Sequence, residues 1–223
     1  MVSGSRENTL ASFLAAVDAG LTWVEVDARA NADGVLVAHH DPQVVGAGWI
    51  SELPSSETDA LGLMRVEELF RALPDSVGVD VDVKSSLEDA LRPRGETTAS
   101  LVVEMLSRAA GTRPLLVSSF DPAALLTVRR ALPDVALGLL TWSRFPLRKA
   151  IAAAAQLGFE VVAPHASSFF VLEENPNERP APECVRVAHQ AGLQVLAWNA
   201  LAEEVDPLLA AGIDCLVIDD VTS

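Results

Sequence analysis

Two stretches of this chain alternate apolar and charged residues with a period of two: Trp23-Val24-Glu25-Val26-Asp27-Ala28 and Val79-Asp80-Val81-Asp82-Val83-Lys84. Side chains on a strand point alternately to opposite faces, so each stretch predicts a strand with one apolar face and one face bearing carboxylates. After the first, Asp33-Gly34 predicts a turn, and Val35-Leu36-Val37-Ala38 a returning arm that carries His39, His40 and Asp41 back toward Glu25 and Asp27. Elsewhere the period lengthens to that of a helix. Glu7 to Ala19, with Leu10, Phe13, Leu14 and Val17 on one face and Gly20 as a stop, predicts the first helix, and Arg65 to Ala72 predicts a short one. Pro42 to Met64, with Gly46, Gly48 and Pro54, reads as irregular.

From Thr97 onward helix and strand alternate. Helices are predicted over 97–110, 122–131, 147–157, 183–191 and 203–211, and strands over 114–118, 135–140, 160–163, 194–198 and 214–218. Such repetition requires parallel strands joined by crossover helices. Seven strands of this kind are found, at Trp23, Val79, Leu115, Ala136, Val161, Val195 and Leu216. An eighth closes a barrel, so the expected fold class is α/β, a (β/α)8 TIM barrel. A doubly wound open sheet usually offers a glycine-rich turn after its first strand, and none follows Trp23 to Ala28. In a barrel Val24, Val26, Val79, Val81 and Val83 face the helices, while Glu25, Asp27, Asp80, Asp82 and Lys84 face inward. The C-terminal strand ends, where barrel chemistry sits, carry Asp27, Lys84, Ser118-Ser119-Phe120, Pro164-His165, Trp198-Asn199 and Asp219.

Charge changes this picture. Several carboxylates on one face repel and raise one another's pKa unless a cation sits among them, and a divalent metal is the economical cation. The competing reading is a half-solvated acidic face beside an ordinary surface turn. His39 alternates with His40 and is expected to point away from it; His165 is placed to line a pocket, and His189 to lie on a helix surface. A net charge of −15 argues against nucleic acid and against an anionic membrane surface as partners. An anionic substrate then needs a local positive centre, such as a metal ion helped by Lys84 or an arginine. At 223 residues, half of them apolar, the chain is read as one domain, 1–223. Cys184 and Cys215 have neither zinc-site spacing nor a disulfide framework and are expected to be buried thiols. No run of eighteen apolar residues occurs, and MVSGSREN lacks the regions of a signal peptide, so a cytoplasmic chain without stable membrane association is expected.

Glu7-Asn8-Thr9, Glu25-Val26-Asp27, Asp33-Gly34 and His40-Asp41-Pro42 follow one another in the order and at the spacing of the glycerophosphodiester phosphodiesterase signature, and the chain resembles that family. Asp82-Val83-Lys84 resembles its Glu-x-Lys strand with Asp for Glu. Ser119-Phe120-Asp121, Trp198, Gly212-Ile213-Asp214 and Asp219 resemble its later segments. The resemblance implies a (β/α)8 barrel that hydrolyses glycerophosphodiesters, a small-molecule substrate, to glycerol 3-phosphate and an alcohol with Ca²⁺ or Mg²⁺. It implies Glu25, Asp27 and Asp82 as metal ligands, His40 and Lys84 as catalytic groups, and Glu7 and Trp198 as substrate contacts. Hard oxygen ligands suit these metals, and a histidine titrating near neutrality suits proton transfer. The family's His-Arg-Gly motif, with its other catalytic histidine, ends the first barrel strand. That strand and motif are missing here, and Val2 to Arg6 read as the loop that follows them, with the motif expected upstream of Met1. The alternative is a non-catalytic remnant that binds a metal and a phosphorylated ligand; an enolase-like barrel gives no reason for Asp-Gly followed by His-His-Asp.

Overall fold

The computed structural model describes residues 7–109, 113–170 and 179–218, and the chain divides between Val135 and Ala136 into two units. The first opens with α1 (Leu10–Asp18). Periodicity predicts a start at Glu7, but Asn8 adopts a φ of 54° and Thr9 caps the helix, its side chain accepting from the Ser12 N–H at 3.3 Å. A left-handed residue cannot propagate a right-handed helix, so the start moves to Leu10. Next come β1 (Trp23–Ala30), β2 (Leu36–Ala38), a ribbon of β3 (Gln43–Val44) and β4 (Gly48–Trp49), then α2 (Ser55–Ala60) and α3 (Val66–Ala72). The unit ends with β5 (Gly78–Val83), α4 (Thr98–Ala109), β6 (Leu115–Ser119) and α5 (Pro122–Ala131).

Its sheet has the order β6-β5-β1-β2, with the first three strands parallel and β2 antiparallel to β1. The two alternating stretches are therefore neighbours in register: Glu25 lies opposite Asp80 and Asp27 opposite Asp82. At the start of the pair Trp23 lies opposite Gly78, and a Cβ there would stand 2.3 Å from the indole, so no other residue fits without displacing the ring. Val26, Val79 and Val81 are fully buried.

The β1–β2 connection is organised by a residue that periodicity does not single out. Buried Asn31 accepts through Oδ1 from the N–H groups of Asp33 (3.0 Å) and Val35 (2.8 Å), bending the chain ahead of Gly34, whose φ is 76°. Its Nδ2 donates to the hydroxyls of Ser55 and Thr58, tying the loop to α2. Asp33 in turn accepts from the Ser55 N–H at 2.7 Å. The segment from Pro42 to Met64 is thus not irregular. Val37, Val44, Ile50, Leu53 and Leu63 form a small buried cluster that joins β2 and the ribbon to the segments on either side of α2.

The second unit contains β7 (Ala136–Thr141), α6 (Leu147–Leu157), β8 (Val161–Pro164), α7 (Ala181–Gln190), β9 (Gln194–Trp198), α8 (Ala202–Ala210) and β10 (Cys215–Val217). Its strands pair in chain order, all parallel. Every boundary falls within two residues of that read from periodicity. Ala150, Ala154 and Ala188 have no exposed surface. Cys184 is buried, whereas Cys215, expected to be buried, is exposed at the start of β10; no disulfide joins them. His189 sits on α7 as expected and reaches Asp214, Nε2 to Oδ2, at 2.9 Å.

Both units are built of parallel strands alternating with helices, and the fold class is α/β. Among the described residues no helix is long and apolar enough to cross a membrane. Asp219 and the segment Val2 to Arg6 lie outside the described residues.

Candidate active site

The parallel register of β1 and β5 places Asp27 beside Asp82, and the alternation puts Glu25 on the same face. One carboxylate oxygen from each of Glu25, Asp27 and Asp82 lies within 4.8 Å of the others. The acidic face is not half-solvated: Asp27, Asp80 and Asp82 are all less than 10 % exposed. Lys84, just past the end of β5, folds back over it. Its Nζ stands 2.8 Å from Asp27 Oδ1 and also contacts Asp82 Oδ2, while the Phe120 ring lies 5.7 Å from the ammonium. A cation read from sequence as a helper of the metal is therefore itself bonded to two of the expected ligands.

Lysine does not balance the site. Burial pushes the Glu25 carboxyl well above its usual range, and the charges of Asp27, Asp82 and Asp80 add to the effect. Burial raises Asp80 to about 7 and Asp82 to about 6, the latter opposed by Lys84. Burial alone would lower the Lys84 pKa, but Asp82 and Asp27 more than offset it and hold the ammonium protonated. Without a further cation the face takes up protons, the response expected of crowded, desolvated carboxylates.

The residues present fit a divalent metal. The cluster offers three carboxylates, hard oxygen donors of the kind such ions prefer, and among the described residues Asp82 Oδ1 is buried with no hydrogen-bond partner. Asp27 is aimed by Asn8, whose Nδ2 donates to Asp27 Oδ2 at 2.7 Å while its Oδ1 accepts from the Asp27 N–H at 3.2 Å. The left-handed backbone of Asn8 serves this double contact.

β2 ends at Ala38, so the period-two argument that sends His39 and His40 to opposite faces does not reach them. The arm is held instead by Arg29, which donates from Nε to the carbonyls of His39 (3.1 Å) and His40 (3.0 Å) and from Nη2 to that of His40. The exposed His40 ring places Nδ1 2.9 Å from Asp41 Oδ1. A carboxylate accepts only, so Nδ1 carries a proton, and in the neutral ring Nε2 presents a lone pair. When protonated, His40 is close enough for its charge to act on Asp82. The His39 ring turns instead to the Asp41 carbonyl.

Glu7 is exposed. In the second unit Trp198 ends β9 and packs edge-on against His165, ring centroids 4.5 Å apart. His165 accepts at Nδ1 from the Ser167 N–H at 3.0 Å, and burial lowers its pKa. Ser119 Oγ donates to the Val83 carbonyl at 2.7 Å and Asp121 caps α5, so both have structural work at the end of β6. Sequence reasoning quoted Asn8 only as a member of Glu7-Asn8-Thr9 and gave it no role, and it missed Arg29, which offered no signal beyond sharing a strand with Asp27.

Residues 3–223 match the model of the Glycerophosphoryl diester phosphodiesterase family. The chain is 23 % identical to the glycerophosphodiester phosphodiesterase of Caldanaerobacter subterraneus subsp. tengcongensis, across 96 % of this chain and 88 % of that one. Among solved structures it resembles the glycerophosphodiester phosphodiesterase of Thermotoga maritima, with a TM-score of 0.73 and 22 % identity over 96 % of this chain and 88 % of the other. It also resembles an Oleispira antarctica phosphodiesterase solved with the product sn-glycerol-3-phosphate, with a TM-score of 0.75 and 24 % identity over 94 % and 86 %. These likenesses show a shared fold.

Proposed function

The chain belongs to the glycerophosphoryl diester phosphodiesterase family, and from that premise we propose that it hydrolyses glycerophosphodiesters to glycerol 3-phosphate and an alcohol with the help of a divalent metal, Ca²⁺ or Mg²⁺. The convergence of Glu25, Asp27 and Asp82, with one buried carboxylate oxygen unpartnered, carries the reading. When bound, the metal supplies positive charge that neutralises non-bridging phosphate oxygens. Everything else falls to the side chains. Asn8 fixes the direction of Asp27, and Lys84 contributes a permanent positive charge beside the cluster in a chain whose net charge otherwise repels phosphate. His40, with Nδ1–H on Asp41, has Nε2 available to take a proton from the attacking oxygen or return one to the leaving alkoxide. Arg29 keeps the backbone beneath that ring in place. Glu7 and Trp198 are proposed to contact substrate.

The test is hydrolysis of glycerophosphodiesters by the purified chain with Mg²⁺ or Ca²⁺ and after chelation, read as glycerol 3-phosphate released, alongside the melting midpoint. Saturating metal is expected to support turnover and to raise the midpoint by about 5–10 °C, the stabilisation given by a ligand at roughly a hundred times its Kd. A raised midpoint without turnover supports the binding-remnant reading. Neither response, with either ion, removes the metal site.

A further inference from the structure

Along one face β1 reads Glu25, Asp27, Arg29, while β5 and the residue just past its end read Asp80, Asp82, Lys84. Glu25 lies opposite Asp80 and Asp27 opposite Asp82, and the ladder continues with the Lys84 N–H donating to the Ala28 carbonyl at 3.1 Å. Each strand therefore carries a cation one step beyond its carboxylates, and Arg29 and Lys84 line one cavity of about 610 Å³, the size of a small-ligand pocket. The two cations are engaged differently. Lys84 is bonded to Asp27 and Asp82. The partly buried Arg29 donates only to the carbonyls of His39 and His40, through Nε and Nη2; among the described residues it makes no ion pair, and Nη1 has no hydrogen-bond partner. Carbonyls satisfy N–H donors but do not cancel a charge.

Resting on the phosphodiesterase reading, we propose that Arg29 is a substrate-binding residue whose guanidinium holds a non-bridging oxygen of the phosphodiester through Nη1. When a divalent ion is bound, its charge and that of Lys84 balance the carboxylates of Glu25, Asp27 and Asp82, which leaves the charge of Arg29 for a singly charged phosphodiester. A guanidinium is planar, always protonated and suited to phosphate oxygens. The two carbonyls fix its direction before substrate arrives, so less freedom is lost on binding. Holding the His39 and His40 carbonyls does not by itself call for arginine, because a neutral amide could donate to them without placing a charge in a partly buried position.

The experiment titrates inorganic phosphate and sn-glycerol 3-phosphate calorimetrically into the Mg²⁺-loaded protein, and measures kcat and KM for glycerophosphoglycerol alongside. Arg29→Gln, which keeps an amide donor and loses the charge, should weaken both anions about 10–100-fold, the size of a hydrogen bond to a charged group, and leave the metal-induced rise in melting midpoint intact. Arg29→Lys, which keeps the charge and loses the planar fork, should weaken them roughly three- to tenfold. If Arg29 only supports His40, Arg29→Gln lowers kcat with anion affinity within about twofold of the unsubstituted protein, and that result overturns the proposal. Should Arg29→Gln fail to fold, Arg29→Lys decides, and unchanged affinity overturns the proposal. Binding of neither anion by the unsubstituted protein also overturns it. Anion binding that depends on Arg29 but comes with no hydrolysis instead sinks the phosphodiesterase reading and upholds the anion site.

Discussion

Strands β1 and β5 in the first unit and β7 and β8 in the second are built to the same plan, parallel neighbours backed by helices, yet their interiors differ in kind. The first pair places Glu25, Asp27, Asp80 and Asp82 on one face, three of them buried. The second, Ala136–Thr141 and Val161–Pro164, is apolar except for Thr141. A parallel sheet of this kind therefore does not need carboxylates to form. Where they occur they oppose folding through desolvation and mutual repulsion, which is why burial drives the pKa values of Asp80 and Asp82 upward. Strands that carry such a burden are where chemistry is to be sought, and strands that do not are framework.

The sharpest way to break this contrast is Asp27→Ala. It removes a proposed metal ligand, the partner of Lys84 and the target of Asn8 together, so hydrolysis should fall at least a thousandfold and the midpoint should no longer respond to metal. A retained metal response would show that the charged face serves some other purpose. Next in size is His40→Ala, expected to lower turnover roughly a hundredfold with the metal-induced rise in midpoint intact, while His39→Ala does little. Equal effects from the two would mean that both rings act at the site.

A third test is the pH dependence of metal-free stability. Asp80 and Asp82 have folded pKa values of about 7 and about 6, above an unfolded value near 3.9. The native state therefore holds protons that the unfolded chain has released, and their contribution is complete below about pH 4 and lost as pH rises through about 6 to 7. Denaturant midpoints without metal should accordingly decline across that interval, and Asp80→Asn should flatten the decline. A profile level from pH 4 to 7 would contradict the buried-carboxylate account. The smallest effect belongs to the framework strands. Thr141 Oγ1 is buried without a partner among the described residues, so Thr141→Val should change stability by less than about 1 kcal/mol, or stabilise, by urea denaturation. A large loss would reveal a polar demand in the second unit.

The same contrast explains what was legible in the sequence. Alternation along β1 and β5 announced both the strands and the shared face of Glu25, Asp27 and Asp82, because a period of two is imposed by the pleat itself. The helices and strands after Thr97 were equally plain. The segment after Pro42 was not, since two-residue strands are too short to show a period and α2, Ser-Ser-Glu-Thr-Asp-Ala, presents no apolar stripe. Its order comes from the Val37 cluster and from Asn31, contacts between residues far apart in the chain. The alternation put Lys84 on the face of Asp82, but its bonds to Asp27 and Asp82 depend on a long side chain folding back, which spacing does not encode. Asn8, through two hydrogen bonds to Asp27, and Arg29, through three to the His39 and His40 carbonyls, make contacts of the same unreadable sort.

Asn31 has one more consequence, for how the first unit opens. A single amide side chain accepts from Asp33 and Val35 and donates to Ser55 and Thr58, while Asp33 accepts from the Ser55 N–H. The β1–β2 loop and the start of α2 cannot come apart one at a time without stranding part of that buried amide. The backbone amides of Val35 and Ser55, twenty positions apart, should therefore exchange with solvent deuterium at matching rates as one cooperative unit, and Asn31→Ala should release both together.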